Sequence, residues 1–201
     1  MTTDKTPIFS DIYDQFYPKI LNYLKRLVGD QEADGVAQVV FEKISQNLNS
    51  FKGESKLSTW IYRVATNTAL DKLKSSSYKY SQSGPLAPLP IHAPEIEHTV
   101  SKNTGTPSSP DKKIIRDEMN ECIREFVDRL PPDYRTIITL NELEGFTNKE
   151  IAEILQISLD TAKIRLYRAR AKLKKSLKSG CDFYHDERSE LACDRKQPQN
   201  K

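Results

Sequence analysis

Between Lys163 and Lys175 the chain carries seven basic residues and no acidic one. Such a run offers one kind of chemistry. Lys and Arg neutralise phosphate, and an Arg held at a fixed height can hydrogen-bond the edge of a base. In helical register Ala162, Leu166, Ala169 and Leu173 share a face. Lys163, Tyr167, Arg170 and Lys174 flank it on one side, and Arg165, Arg168, Lys172 and Lys175 on the other. Basic runs are most often ordinary solvated helices, so the reading depends on what precedes this one.

The preceding residues are "FTNKEIAEILQISLD". Thr147 and Glu150 fit a reciprocal capping box, with Phe146 and Ile151 as the hydrophobic staple outside and inside it. Ile151, Ala152, Ile154 and Leu155 turn inward. Gln156, Ile157 and Ser158 form a tight turn. There Gln156 costs about 1 kcal/mol if it must go left-handed. Ser158 caps the next helix, and Asp160 favours its N-terminal dipole. A capped helix, a tight turn and a second helix with two basic shoulders make a helix-turn-helix whose second helix fits a major groove. Thr161, Lys163, Ile164, Arg165 and Arg168 are the residues expected to reach DNA.

The tail holds a second group with potential chemistry. Cys181, His185 and Cys193 are spaced C-x3-H-x7-C. On a helix Cys181 and His185 would share a face. A structural zinc site needs four ligands, and the fourth would have to be a nearby carboxylate, Cys122 or a second chain. The expectation is therefore an amphipathic helix with unreactive thiols, and no metal site. Cys122 reads as core. No Glu-bearing zinc-enzyme motif and no glycine-rich phosphate loop is present, so neither an enzyme nor a cofactor is expected.

The elements that must position these residues follow from apolar periodicity. Ile8, Ile12, Phe16, Ile20, Leu24 and Leu27 form one stripe, crossed by Pro18. Ala33, Ala37, Val40, Phe41, Ile44 and Leu48 form a second. Leu57, Ile61, Val64, Ala65 and Leu73 form a third. Asp30 and Ser58 stand where N-caps would. Residues 75–110 are rich in Ser, Thr and Pro without helical period and read as a flexible linker in which His92 and His98 are solvated. Helical pattern resumes near Lys112, with Ile115, Met119, Ile123, Phe126 and Val127, and breaks at Pro131 and Pro132. Tyr134, Ile137, Ile138 and Leu140 continue it to Leu143, and Gly145 stops it.

The expected fold class is all-α: two small helical domains joined by a flexible linker. The boundaries are 8–74 for the first domain, 75–111 for the linker, 112–178 for the second domain and 179–201 for the tail. The 201 residues carry a net charge of only +3, so local stripes matter more than bulk charge. No stretch approaches the roughly 18–20 apolar residues of a membrane span, and the N-terminus lacks an export signal. With an odd number of Cys arguing against a disulfide framework, a cytoplasmic protein without membrane contact is expected.

The stretch "LPPDYRTIITLNELEGFTNKEIAEILQISLDTAKIRLYRARAKLKK" closely resembles region 4 of the extracytoplasmic-function (ECF) sigma factors, a subfamily of the sigma-70 family. "GDQEADGVAQVVFEKI" resembles their region 2.2, and "FKGESKLSTWIYRVATNTALDKLKS" their regions 2.3 and 2.4. The resemblance implies a bacterial RNA polymerase sigma factor that directs promoter recognition and transcription initiation. Its implied partners are core RNA polymerase, promoter DNA and an anti-sigma factor. The recognition-helix residues would then read the −35 element.

Region 2 would hold the opened −10 strand, which calls for aromatic faces and basic groups. Phe51, Trp60 and Tyr62 offer the first; Lys56, Arg63, Lys72 and Lys74 offer the second. Loop residues between Asn47 and Lys56 would read unstacked bases. Asn67 and Asp71 match the family's Asn and Asp in region 2.4. The −10 set is thus Trp60, Arg63, Asn67, Asp71, Lys72 and Lys74, with core packing the competing role for Trp60. Polymerase docking falls to Glu32, Asp34, Gln38, Phe41 and Glu42. The chain departs from the family where Gly35 and Val39 replace the usual Asp and Glu, which weakens electrostatic docking.

Other readings predict different behaviour. A stand-alone helix-turn-helix transcriptional regulator would bind duplex DNA tightly without polymerase. A metal-dependent enzyme built on Cys181, His185 and Cys193 lacks the motifs noted above.

Overall fold

A computed structural model describes residues 8–77, 123–185 and 191–196. Three long helices open the chain: α1 (Phe9–Val28), α2 (Asp30–Asn47) and α3 (Leu57–Ser77). A short helical stretch at 123–128 follows. Then come α4 (Pro132–Ile138), a π-helical turn (Thr139–Leu143), α5 (Asn148–Leu155) and α6 (Leu159–Gly180). The expected linker from residue 78 onward, with His92, His98, Ile115, Met119 and Cys122, lies outside the described residues.

The chain divides into two compact units. The first comprises Met1–Leu86 and Pro131–Leu166, the second Ala87–Leu130 and Tyr167–Lys201. The core of the first is the set of stripes that periodicity marks. Ile12, Phe16, Ile20, Leu24 and Leu27 of α1 and Ala33, Ala37, Val40, Phe41 and Ile44 of α2 are all buried, as are Ile61 and Ala65 of α3. Leu57, Val64 and Leu73 of the third stripe are only half-buried, and Ile8 is a further exception. It precedes the first turn of α1 and is exposed. Pro18 sits on the exposed side of α1, and the helix runs through it unbroken.

Threonines complete this core in a way that apolar periodicity does not register. Thr59, Thr66 and Thr68 of α3 are buried. The Thr66 hydroxyl lies 2.7 Å from the buried Tyr23 hydroxyl and donates to the Tyr62 carbonyl at 2.6 Å. Lys43 Nζ donates to Thr68 Oγ1 at 3.1 Å. The Thr66 and Thr68 hydroxyls each donate to their own helix, Thr68 to the Val64 carbonyl at 2.8 Å, which makes their burial tolerable, whereas Thr59 Oγ1 has no hydrogen-bond partner among the described residues.

Helix ends depart slightly from expectation. Gly29, at φ +86°, is the residue between α1 and α2, and its N–H closes on the Lys25 carbonyl at 3.0 Å. Asp30 is the first helical residue instead of the cap, where its charge suits the helix dipole. Ser58 lies in the first turn of α3, one residue inside its start.

The tail is not a helix. β1 (Cys181–His185) and β2 (Leu191–Arg195) form an antiparallel hairpin with Cys181 opposite Arg195, Phe183 opposite Cys193 and His185 opposite Leu191. Residues four apart on a strand are separated by about 13 Å. Cys181 and His185 therefore cannot reach one metal, and the helical spacing argument fails. The hairpin belongs to the second unit. Cys181 is buried, and Arg195 is ion-paired with Glu125 of the 123–128 stretch. Among the described residues no helix is long and apolar enough to cross a membrane.

Candidate nucleic-acid interface

The helix-turn-helix forms as its local sequence dictates. The Glu150 N–H donates to Thr147 Oγ1 at 3.3 Å, and Glu150 Oε2 accepts the Thr147 N–H at 2.9 Å, closing the capping box. Phe146 and Ile151 are both buried on the core side of it. α5 ends at Gln156 in the left-handed conformation, φ 54° and ψ 44°. The Thr161 N–H then donates to Ser158 Oγ at 3.1 Å, which caps α6.

Along α6, Ala162, Leu166 and Ala169 are buried. At about 100° per residue, Thr161, Ile164, Arg165 and Arg168 fall on one stripe of the helix, while Lys163 falls on the opposite shoulder with Tyr167, Arg170 and Lys174. Thr161 and Lys163 are exposed, and Ile164, Arg165 and Arg168 are half-buried. Arg165 is also ion-paired with Asp133 at 3.6 Å. Tyr167, on the shoulder with Lys163, is 46% exposed.

The second group of expected contacts lies on α3 and the loop before it. Trp60 is half-buried, its ring 5.4 Å from that of Phe51. Both line a cavity of about 480 Å³, together with Ser50, Lys52, Glu54, Ser55 and Arg63 of the same region and Glu153 of α5. The buried Nε of Arg63 has no hydrogen-bond partner among the described residues. An aromatic pair, a guanidinium and a short polar loop around one cavity suit a flat base with its phosphate.

Asn67, Asp71 and Lys74 are exposed farther along α3. Lys72 is ion-paired with Glu32 of α2 at 2.8 Å. Tyr62 is turned inward: it is buried, and its hydroxyl donates to Glu144 Oε2 at 2.6 Å. Burial and this carboxylate push its phenol well above the usual range. Lys56 Nζ donates to Glu150 Oε1 at 2.7 Å. That bond, with the Thr147 N–H, holds the Glu150 carboxyl down at about 2.

On α2, Glu32, Asp34, Gln38 and Glu42 are exposed on the outer side, with Val39 among them. Phe41 points inward. It lies 5.0 Å from the ring of Tyr13 and 5.5 Å from that of Tyr17, and those two rings stack at 4.8 Å. Phe41 thus supports the acidic face from beneath, and Tyr13 extends that face with an exposed ring. Nothing lies within 4 Å of a Cβ placed on Gly35.

Both helical regions of the chain are similar to known proteins. Residues 12–78 match the family model for Sigma-70 region 2, and residues 120–173 that for Sigma-70 region 4. The chain is 32% identical over 177 residues to the RNA polymerase sigma factor SigZ of Bacillus subtilis, covering 88% of this chain and 90% of that protein. It is 34% identical over 164 residues to the RNA polymerase sigma-H factor of Pseudomonas aeruginosa, covering 81% and 82%. The ECF RNA polymerase sigma factor SigW of B. subtilis is 32% identical over 171 residues, covering 85% and 89%.

Two solved structures share the fold. One is the sigma factor RpoE bound to the anti-sigma factor NepR from Bartonella quintana, with TM-score 0.59, 20% identity and coverage of 85% of this chain and 96% of that one. The other is CnrH bound to the cytosolic domain of CnrY, with TM-score 0.56, 18% identity and coverage of 85% and 88%. With both sigma regions matched in order and full-length relatives above 30% identity, the chain belongs to the ECF subfamily of sigma-70 factors, the RNA polymerase subunits that recognise promoters and direct transcription initiation.

Proposed function

We propose that this sigma factor works as a non-enzymatic, cytoplasmic adaptor gripping one promoter at two places. Residues 8–74 act as region 2 and residues 112–178 as region 4, tethered by 75–111. Thr161, Ile164, Arg165 and Arg168 face the −35 base edges, while Lys163 and Tyr167 hold phosphates on the other shoulder. Trp60, Arg63 and the loop 50–55 take a base of the opened −10 strand, and Asn67, Asp71, Lys72 and Lys74 lie along its path. Glu32, Asp34, Gln38 and Glu42 dock on core RNA polymerase, with Phe41 buttressing them.

The observation that carries this reading is the cavity formed by Phe51, Trp60 and Arg63, in the same chain as a capped helix-turn-helix. One structural neighbour is a sigma factor in complex with an anti-sigma factor, and an anti-sigma protein is proposed as a third partner here. Run-off transcription with purified core polymerase tests the whole. Initiation at a promoter with two spaced elements, lost on Trp60→Ala, supports it. Tight duplex binding without polymerase dependence refutes it in favour of a stand-alone regulator.

A further inference from the structure

The hairpin of the tail brings together two thiols that the promoter and polymerase contacts do not use. Cys181 and Cys193 are twelve residues apart. On one helix they would stand about 18 Å from each other. In the hairpin Cys181 faces Arg195, and Phe183 faces Cys193. Side chains alternate along a strand, and directly paired residues share a face. Cys181, Phe183, Cys193 and Arg195 therefore lie on one face, with the two cysteines on its diagonal. Asp182, Tyr184 and Asp194 lie on the other. Both cysteines are thiols.

Diagonal neighbours in an antiparallel pair have Cα atoms about 7–8 Å apart, with their Cβ atoms closer. A disulfide takes Cα atoms about 4.4–6.8 Å apart. The difference is about 1 Å, within the variable twist of a two-stranded ribbon. A bond drawn across a diagonal stays strained, and strained disulfides are the readily reduced ones. Burial divides the roles of the two thiols. Cys181 is 2% exposed, whereas Cys193 is half-buried and open to a small oxidant.

We propose that Cys181 and Cys193 form a peroxide-reactive dithiol whose reversible disulfide fastens the hairpin. The Cys193 thiolate attacks hydrogen peroxide. An S–O bond forms, the O–O bond breaks, and hydroxide leaves to take up the proton the thiol released. Cys181 then attacks the Cys193 sulfenic acid at sulfur. The S–S bond forms, the S–O bond breaks, and the hydroxyl departs as water with the Cys181 proton. Two thiols lose two protons and two electrons, and one peroxide becomes two waters. A dithiol reductant reverses the bond by exchange. In a reducing compartment such bonds are transient and sensory.

The bond would act on groups that pack the second unit. Cys181 directly follows α6. At the end of β2, Arg195 is ion-paired with Glu125. The Lys196 N–H donates to the Gly180 carbonyl at 3.0 Å, and Lys196 Nζ donates to the Lys178 carbonyl at 3.1 Å. Tying Cys193 to Cys181 keeps β2 from peeling off these partners. Oxidation thereby stiffens the end of α6 and the 123–130 stretch together.

The test uses the full chain, reduced, treated with a small molar excess of hydrogen peroxide, alkylated, and mapped by peptide mass spectrometry without reduction. The expected product joins the peptide holding Cys181 to the one holding Cys193. Its yield should not depend on protein concentration, and dithiothreitol should return both thiols. Cys181→Ala removes the resolving partner, so dimedone labelling of the Cys193 sulfenic acid should rise about fivefold over the parent. Amide exchange protection at 123–130 and 177–181 should rise about tenfold in the oxidised parent. Peroxide should leave that protection unchanged in Cys193→Ala, whose half-buried site guards against misfolding of the Cys181 variant.

Disulfides that join two chains, or that engage Cys122 in place of either partner, overturn the pair. So does a Cys193 that proceeds to the sulfinic acid while Cys181 stays a thiol. A link already complete in protein held in reduced glutathione is a fixed structural bond and overturns the reversible switch. A linked pair with unchanged exchange protection overturns the fastening of α6.

Discussion

Gly35 lies within α2 and Gly180 is the last residue of α6, both at ordinary negative φ, yet the same substitution should act in opposite directions at the two. Ala is favoured over Gly in a helix by about 1 kcal/mol, through lower unfolded-state entropy. At Gly35 nothing lies within 4 Å of the added Cβ, so the full gain should appear. At Gly180 the new Cβ would fall against Cζ of Phe126 and within 2.6 Å of its Cε1. Phe126 is buried, so the ring must be displaced, and overpacking of this kind costs about 1–3 kcal/mol. The helix gain offsets part of that, leaving a net loss of roughly 1 kcal/mol.

Urea unfolding of Gly35→Ala, followed by Trp60 fluorescence, should move the midpoint up by roughly 0.5 M for a slope near 2 kcal/mol per molar. Gly180→Ala lies in the other unit, which has no tryptophan, and needs amide hydrogen exchange at 123–130 and 177–181. Protection there should fall by about fivefold. A destabilised Gly35→Ala, or a Gly180→Ala with protection unchanged or raised, would show that the space read around these two residues is wrong. The Gly35 result has a functional side as well: α2 carries the proposed polymerase face, and stiffening it should not weaken core binding.

Further outcomes can be checked on the same protein. Arg165→Ala or Arg168→Ala should weaken −35 duplex binding by about 1–3 kcal/mol if either makes a bidentate base contact, and unchanged affinity for both rejects the placement of α6 in the groove. Thr147→Ala removes a capping box and should cost about 1 kcal/mol in thermal unfolding. The Glu150 carboxyl, ordinarily near 4.5 and held at about 2, contributes stability that is full above 4.5 and drains away as pH falls toward 2. Glu150→Gln should flatten that acid limb, and an unaltered limb assigns it to other carboxylates. Deleting residues 181–201 should leave basal run-off initiation intact while lowering exchange protection around Phe126, because Cys181 is buried and Arg195 holds Glu125.

Most of the helical plan was legible from residue spacing alone. The stripes of α1 to α3 and the box of Thr147 and Glu150 are local features, written in side-chain periodicity and in hydrogen bonds spanning three residues. The left-handed Gln156 could be anticipated for the same reason, since a tight turn between two fixed helices leaves its backbone few choices. The burial of Thr66 and Thr68 on α3 was not legible, because a hydroxyl that bonds its own helix counts as polar in any pattern until the helix is packed. Nor was the hairpin. Cys181 and His185 at i and i+4 fit a helix, but the aromatic Phe183 and Tyr184 and the pairing of 181–185 with 191–195 favour strands, and pairing is a tertiary fact.

The sequence by itself determined what kind of protein this is, because the sigma motifs and the basic recognition helix are local and specific. Only the tertiary structure decided which groups occupy one another. Glu144 lies 118 residues from Arg26 and 82 from Tyr62, and Glu150 lies 94 from Lys56. No spacing rule reaches that far. Those partners are chosen by a π turn and a left-handed glycine that aim one short corner at two helices formed long before it in the chain.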